Sequence, residues 1–139
     1  MGLIVGLCLL LAGGFLYLRG EVHATGLTAH GEHRFDDAMP MLKAAAVMGV
    51  SEAAGLVGVM YLFGQGTHAD GARAEWWLLR ASNAGVTSAQ TLLGTMYAKG
   101  LGVAIDLTKA RTWLQRASTG GDPEATFLLR TMTSSKPQT

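Results

Sequence analysis

The residues that could do chemistry are few. His23, His30 and His33 stand close together in the chain beside Glu32 and Asp36, and imidazoles with a carboxylate can ligate zinc. Their spacing matches no standard zinc site and no cysteine stands nearby, so a solvated linker accounts for them better. Cys8 lies in an apolar run and His68 stands alone in a loop, so neither a Ser/His/Asp nor a Cys/His set can be assembled. Gly64-Gln65-Gly66 and Gly100-Leu101-Gly102 are glycine-rich, but each ends a helical pattern without the following Lys-Ser/Thr of a phosphate loop. The paired acids Asp36 and Asp37 suit the start of a helix, where free N–H groups favour a carboxylate, better than a hydrolytic dyad. No catalytic, cofactor-binding or metal-ligating residue is assigned, and a non-enzymatic protein without a cofactor is expected.

What positions these residues is a repeat. Gly49, Ala53, Leu56, Met60, Asp70, Ala74, Trp77, Leu78 and Ala81 recur 36 residues later as Gly85, Ala89, Leu92, Met96, Asp106, Ala110, Trp113, Leu114 and Ala117. Gly121, Ala125, Leu128 and Met132 begin a third copy. A period of this size marks a solenoid. Within each period, apolar residues at helical spacing predict helices over 51–63 and 71–84, and over 87–99 and 107–119, broken by glycine loops. Asp70, Asp106 and Asp122 are expected to cap helices, with Pro123 in a first helical position. Ser51 is a further candidate cap. Shifting by the same period places Ala38, Leu42 and Ala45 over Ala74, Leu78 and Ala81, so 35–48 reads as half a repeat. Residues 35–132 thus form an all-α repeat domain of two full and two half units, a short solenoid of antiparallel helix pairs. Residues 133–139 form a polar tail expected to fray.

The 139-residue chain is 49% hydrophobic and 15% charged, with a net charge of +1. It should fold, and it lacks the dense basic patch that binding to nucleic acid requires. Leu3 to Leu18 is apolar apart from glycines and Tyr17, and with Tyr17 and Arg19 at its end it reads as a single-pass anchor in the lipid bilayer over residues 1–19. A cleaved signal ending near Val22-His23-Ala24 is the alternative, and export to the periplasmic side is favoured over the cytoplasm. Gly20 to Arg34 shows no helical period and reads as a linker behind this apolar segment.

The glycine loops, the capping aspartates, Lys109-Ala110, Trp113-Leu114 and the first-helix pattern Ala89, Leu93-Gly94, Met96-Tyr97, Gly100 resemble the Sel-one-like repeat family, relatives of tetratricopeptide repeats. Ala53, Val57-Gly58, Met60-Tyr61 and Gly64 follow the same pattern in the first unit. Gly71, Gly55 or Thr91, and Arg130 depart from it, which suggests a looser first unit. The resemblance implies a scaffold for other proteins. The expected partner surfaces are the stripe Leu56, Met60, Phe63, Leu92, Met96 and Lys99 on successive first helices, and Phe127, Leu128 and Leu129 on a last helix lacking its cover. Leu56, Met60, Leu92 and Met96 also fit a core role by periodicity, and Trp77 and Trp113 fit core packing. The expected partners are membrane or envelope protein subunits, with a second copy of the chain a further candidate. The expected function is a membrane-tethered interaction module of a bacterial complex. An inhibitor or immunity-type binder of a secreted effector is an alternative, and a metal-binding or enzymatic protein built on the linker histidines a weaker one.

Overall fold

The computed structural model describes the backbone of residues 2–134 and the side chains of residues 13–133. Among them the chain forms α1 (Gly2–Gly31), α2 (Phe35–Val47), α3 (Ser51–Phe63), α4 (Gly71–Asn83), α5 (Thr87–Lys99), α6 (Leu107–Thr119) and α7 (Pro123–Ser134), with no strand. Each helix packs mainly on its neighbours in sequence, as in a solenoid. The caps follow the sequence: the Asp70 carboxylate accepts from the Arg73 amide at 2.9 Å, and Asp106 accepts from the Thr108 and Lys109 amides. Val50, not Ser51, occupies the N-cap of α3 and provides no side-chain bond. Gly49, Gly85 and Gly121, at φ near +90°, reverse the chain after α2, α4 and α6.

Close approach at one glycine sets the thickness of each hairpin. A Cβ on Gly58 would lie 2.6 Å from Leu78 Cγ, and one on Gly94 2.7 Å from Leu114 Cγ. Leu78 and Leu114 are fully buried against these glycines, among Ala74, Ala81, Ala110 and Ala117. Gly26 of α1 meets Leu42 of α2 in the same way, at 3.0 Å. The half repeat at 35–48 is therefore completed by α1. Gly26 and Leu42 are 16 residues apart in sequence, against 20 for Gly58 and Leu78, so the connection is shorter and a 36-residue shift misses the match.

This arrangement corrects the reading of the N-terminus. Residues 20–31 are not a linker but continue α1 without a break, burying Ala29 and packing Val22 on the core. His30 pairs with the Gln65 side chain at 3.3 Å and its ring meets Phe35 edge-on. The expected single-pass anchor, with the repeats held on the periplasmic side, is also overturned: no helix among the described residues is long and apolar enough to cross a membrane. From Arg19 onward α1 carries Glu21, His23, Thr25 and Thr28, and its Gly26 and Ala29 are committed to protein packing. The side chains of 1–12, where most of the Leu3–Leu18 bilayer contact was expected, lie outside the described residues, as does most of the tail at 133–139.

Aligned on Gly26 and Gly58, Glu21, Thr25 and Thr28 of α1 correspond to Ala53, Val57 and Met60 of α3. The α3 residues are fully buried, whereas those of α1 are exposed and polar. Nor is the first unit loose at Gly71: the Gly102 carbonyl of the next loop lies where a Cβ on Gly71 would stand, so the glycine permits backbone contact between loops. At Gly55, by contrast, a Cβ would make ordinary contacts of 3.7 and 3.8 Å with Ala81 and Ala89.

These distances predict opposite outcomes three residues apart on one helix. Gly58→Ala should lower stability by about 1–3 kcal/mol through overpacking against Leu78. Gly55→Ala should be neutral or stabilising by up to about 1 kcal/mol through helix propensity. Urea unfolding of the two variants measures both.

Candidate functional site

The first helices α3 and α5 stand apart, and between them lies a groove of about 420 Å³ lined by Glu52, Gly55, Leu56, Val59, Leu78, Val86, Ser88, Ala89 and Leu92. Glu52, Gly55, Leu56 and Val59 fall on one face of α3 because they recur at helical spacing. Leu78 of α4 supplies the floor, and Ser88, Ala89 and Leu92 of α5 supply the opposite wall. The volume lies toward the lower end of the range of about 300–1,000 Å³ for binding clefts. Glu52 and Ser88 are the polar side chains of an otherwise apolar lining.

Two positions distinguish this interval from the next. Shifted by one period, Gly55 becomes Thr91 and Val86 becomes Asp122. In that second interval the Thr91 hydroxyl donates to Asp122 Oδ2 at 2.7 Å, and Asp122 also caps α7 by accepting from the Glu124 and Ala125 amides. Glycine and valine make no such side-chain hydrogen bond between α3 and α5. The Thr91 hydrogen bond, followed by those of the two amides, holds the Asp122 carboxyl below its ordinary range.

The expected surface residues are divided by the structure. Leu56 and Leu92 are half-buried and line the groove. Met60 and Met96 are fully buried in the hairpin core and present nothing to a partner. They differ from Leu56 and Leu92 only in which side of the helix its neighbours cover. Phe63, at 64% exposure, lies instead in a separate groove with Leu62, Ala69 and Leu101 at the loop edge. Lys99 is exposed at the end of α5. On α7, Leu128 and Leu129 are half-buried against Leu114, Ala117 and Ala125, and Phe127 is 63% exposed. Arg130 occupies the glycine position of α3 and α5, so the glycine contact that seats α4 and α6 has no counterpart on α7.

Gly55, Val59, Glu52 and Ser88 were not singled out as site residues from sequence. The departure at Gly55 was the available signal, because a glycine inside a helix costs about 1 kcal/mol relative to alanine and asks for a reason. Trp76 was missed as well. It is 57% exposed on α4, stacked edge-on to Trp77 at 4.7 Å, and has Thr112 as its counterpart. Trp77 is partly buried and Trp113 buried, with Arg80 and Arg116 over their rings.

Nothing in the groove assembles a reactive set. Among the described residues there is no group of three or more side chains able to hold a metal ion. The tyrosines at equivalent positions shift in opposite directions: Lys43 beside its hydroxyl holds Tyr61 below the ordinary phenol value, whereas burial and the Glu75 carboxylate that accepts a hydrogen bond from its hydroxyl push Tyr97 up. These contacts tie α3 to α2 and α5 to α4.

Comparison with known proteins accords with this geometry. The Sel1 repeat family matches residues 51–86 and 87–122. A Sel1 repeat protein from Oxalobacter formigenes superposes with a TM-score of 0.76 at 26% identity, covering 80% of this chain and 46% of that one. A protective antigen of uropathogenic Escherichia coli displaying an SLR fold gives 0.63 at 32% identity, covering 66% and 20%. Helicobacter pylori cysteine rich protein B gives 0.63 at 20% identity, covering 66% and 69%, a likeness of fold. The chain therefore spans less than half of the first two structures. No curated protein matches.

The Thr91–Asp122 pair sets a pH dependence. Because the folded carboxyl titrates below its unfolded value of about 4, it adds stability above that pH, and this is lost as pH falls through the folded value. Thr91→Val should lower stability near neutral pH and shift the acid loss upward, and the gap from the parent should narrow as pH falls through the folded value. Urea midpoints measured from about pH 7 to about pH 2 test this.

Proposed function

Because this chain belongs to the Sel1 repeat family, we propose that it works as a non-catalytic scaffold that holds a partner protein on its first-helix face, in the groove between α3 and α5. Sel1 repeats make the chain a protein–protein interaction module. The observation that carries the choice of surface is the groove itself: it is apolar and it is walled by Leu56, Val59 and Leu92. Positions that serve packing recur from unit to unit, as Ala53, Leu78 and Met60 do. Gly55 does not recur, and it removes a side chain where its counterpart Thr91 makes two hydrogen bonds. A helix that gives up propensity and contacts to keep a cleft open is better explained by an occupant than by folding.

The partner is a protein segment and the role that of an accessory or scaffold subunit of a larger assembly. Phe63 and Leu101 at the loop edge extend the apolar surface beyond the groove. The exposed Trp76 lies on a second helix and serves as a control site.

Gly55→Leu, whose side chain would extend into the groove from a Cβ in ordinary contact with Ala81 and Ala89, should release partner proteins retained by the parent chain in co-purification from its source cells. Trp76→Ala should leave them bound. Retention by Gly55→Leu, with helicity unchanged by circular dichroism, would place the partner surface elsewhere.

A further inference from the structure

We infer that the segment received by the α3–α5 groove carries a bulky aliphatic side chain flanked by a lysine or arginine. This rests on the interaction reading above and adds the chemistry of the ligand. The aliphatic requirement follows from the lining: Leu56, Val59, Leu78, Val86, Ala89 and Leu92 offer no hydrogen-bonding side chain to a buried polar group, which would be left unsatisfied.

The cation follows from Glu52. Its carboxylate stands exposed at the groove rim and makes no hydrogen bond or ion pair among the described residues. Glu124, at the equivalent place on α7, is likewise unpaired among the described residues but borders no part of this groove, whereas the other acids of residues 51–122 are committed. Asp70 and Asp106 cap helices and pair with Arg73 and Lys109, Asp122 caps α7 and accepts from Thr91, and Glu75 accepts from Tyr97. Glu52 lies in the first turn of α3, where the helix dipole favours an acid. Ser88 occupies the equivalent place in α5, and α5 forms over the same length, so the fold does not require the carboxylate. None of the lining residues is basic. A lone carboxylate at the mouth of an apolar cleft draws a cation, since low-dielectric walls focus its field.

The test uses the full chain and a displayed library of random peptides, followed by synthesis of the enriched peptides and of versions with the basic residue changed to glutamate. Fluorescence anisotropy then reads affinity for the parent, Gly55→Leu, Leu92→Asp and Glu52→Lys chains, each checked for helicity. Enriched peptides should carry an aliphatic residue beside a lysine or arginine, and Gly55→Leu and Leu92→Asp should each weaken them at least tenfold. Glu52→Lys should weaken them roughly fivefold, as expected for a rim charge, and should reverse the preference toward the glutamate versions. Peptides blocked by Gly55→Leu but indifferent to charge at position 52 would overturn this inference and leave the groove reading standing. Peptides that bind Gly55→Leu as well as the parent, or a selection that enriches nothing, would overturn both.

Discussion

The contact between a glycine on each first helix and a leucine on its partner controls the geometry of the whole array. Gly26 with Leu42, Gly58 with Leu78 and Gly94 with Leu114 bring helix axes close enough that no larger residue fits between them. The leucines are fully buried as a result, and alanines above and below them on the second helices are buried with them. A hairpin this thin cannot enclose its own core, so each must lie against the next. Stacking is reinforced by polar ties between hairpins: Arg80 donates to the Ala46 carbonyl at 2.9 Å, and Gln90 to the Ser82 carbonyl at 3.0 Å. Arg130 stands where the glycine would be on α7, so that helix lacks this contact.

Against this fixed frame, function has room only where equivalent positions differ. Gly55, Thr91 and Phe127 share one place in the repeat, and each produces a different surface: an open groove, a hydrogen-bonded floor and an exposed ring. Val86 and Asp122 differ in step with the first two. Glu52, Ser88 and Glu124 likewise share a position at the start of the first helices. A repeat scaffold can thus change what it binds by exchanging residues that no hairpin contact depends on.

The period, the helix limits and the aspartate caps were readable in the chain because each depends on residues near in sequence: a carboxylate and the next two or three amides, or apolar residues on one helix turn. The N-terminal helix was not readable as part of the array. Its partner contact lies at Gly26 and Leu42, and the shortened connection removes the 36-residue register that reveals the other hairpins. Its polar residues Glu21, Thr25 and Thr28 imitate a linker, whereas in the structure they lie exposed on a continuous helix.

By itself, then, the sequence determined an all-α stack of hairpins, the places where its helices begin and stop, and the absence of an assembled catalytic motif. Only the tertiary structure decided which side of each helix is covered. Leu56 and Met60 are both apolar and one helical turn apart, so no local rule separates them. α3 packs on α2 and α4, and Met60 is sealed in the core while Leu56 is left on the groove wall. Burial is set by neighbours brought from other parts of the chain, and that information enters only when the hairpins stack.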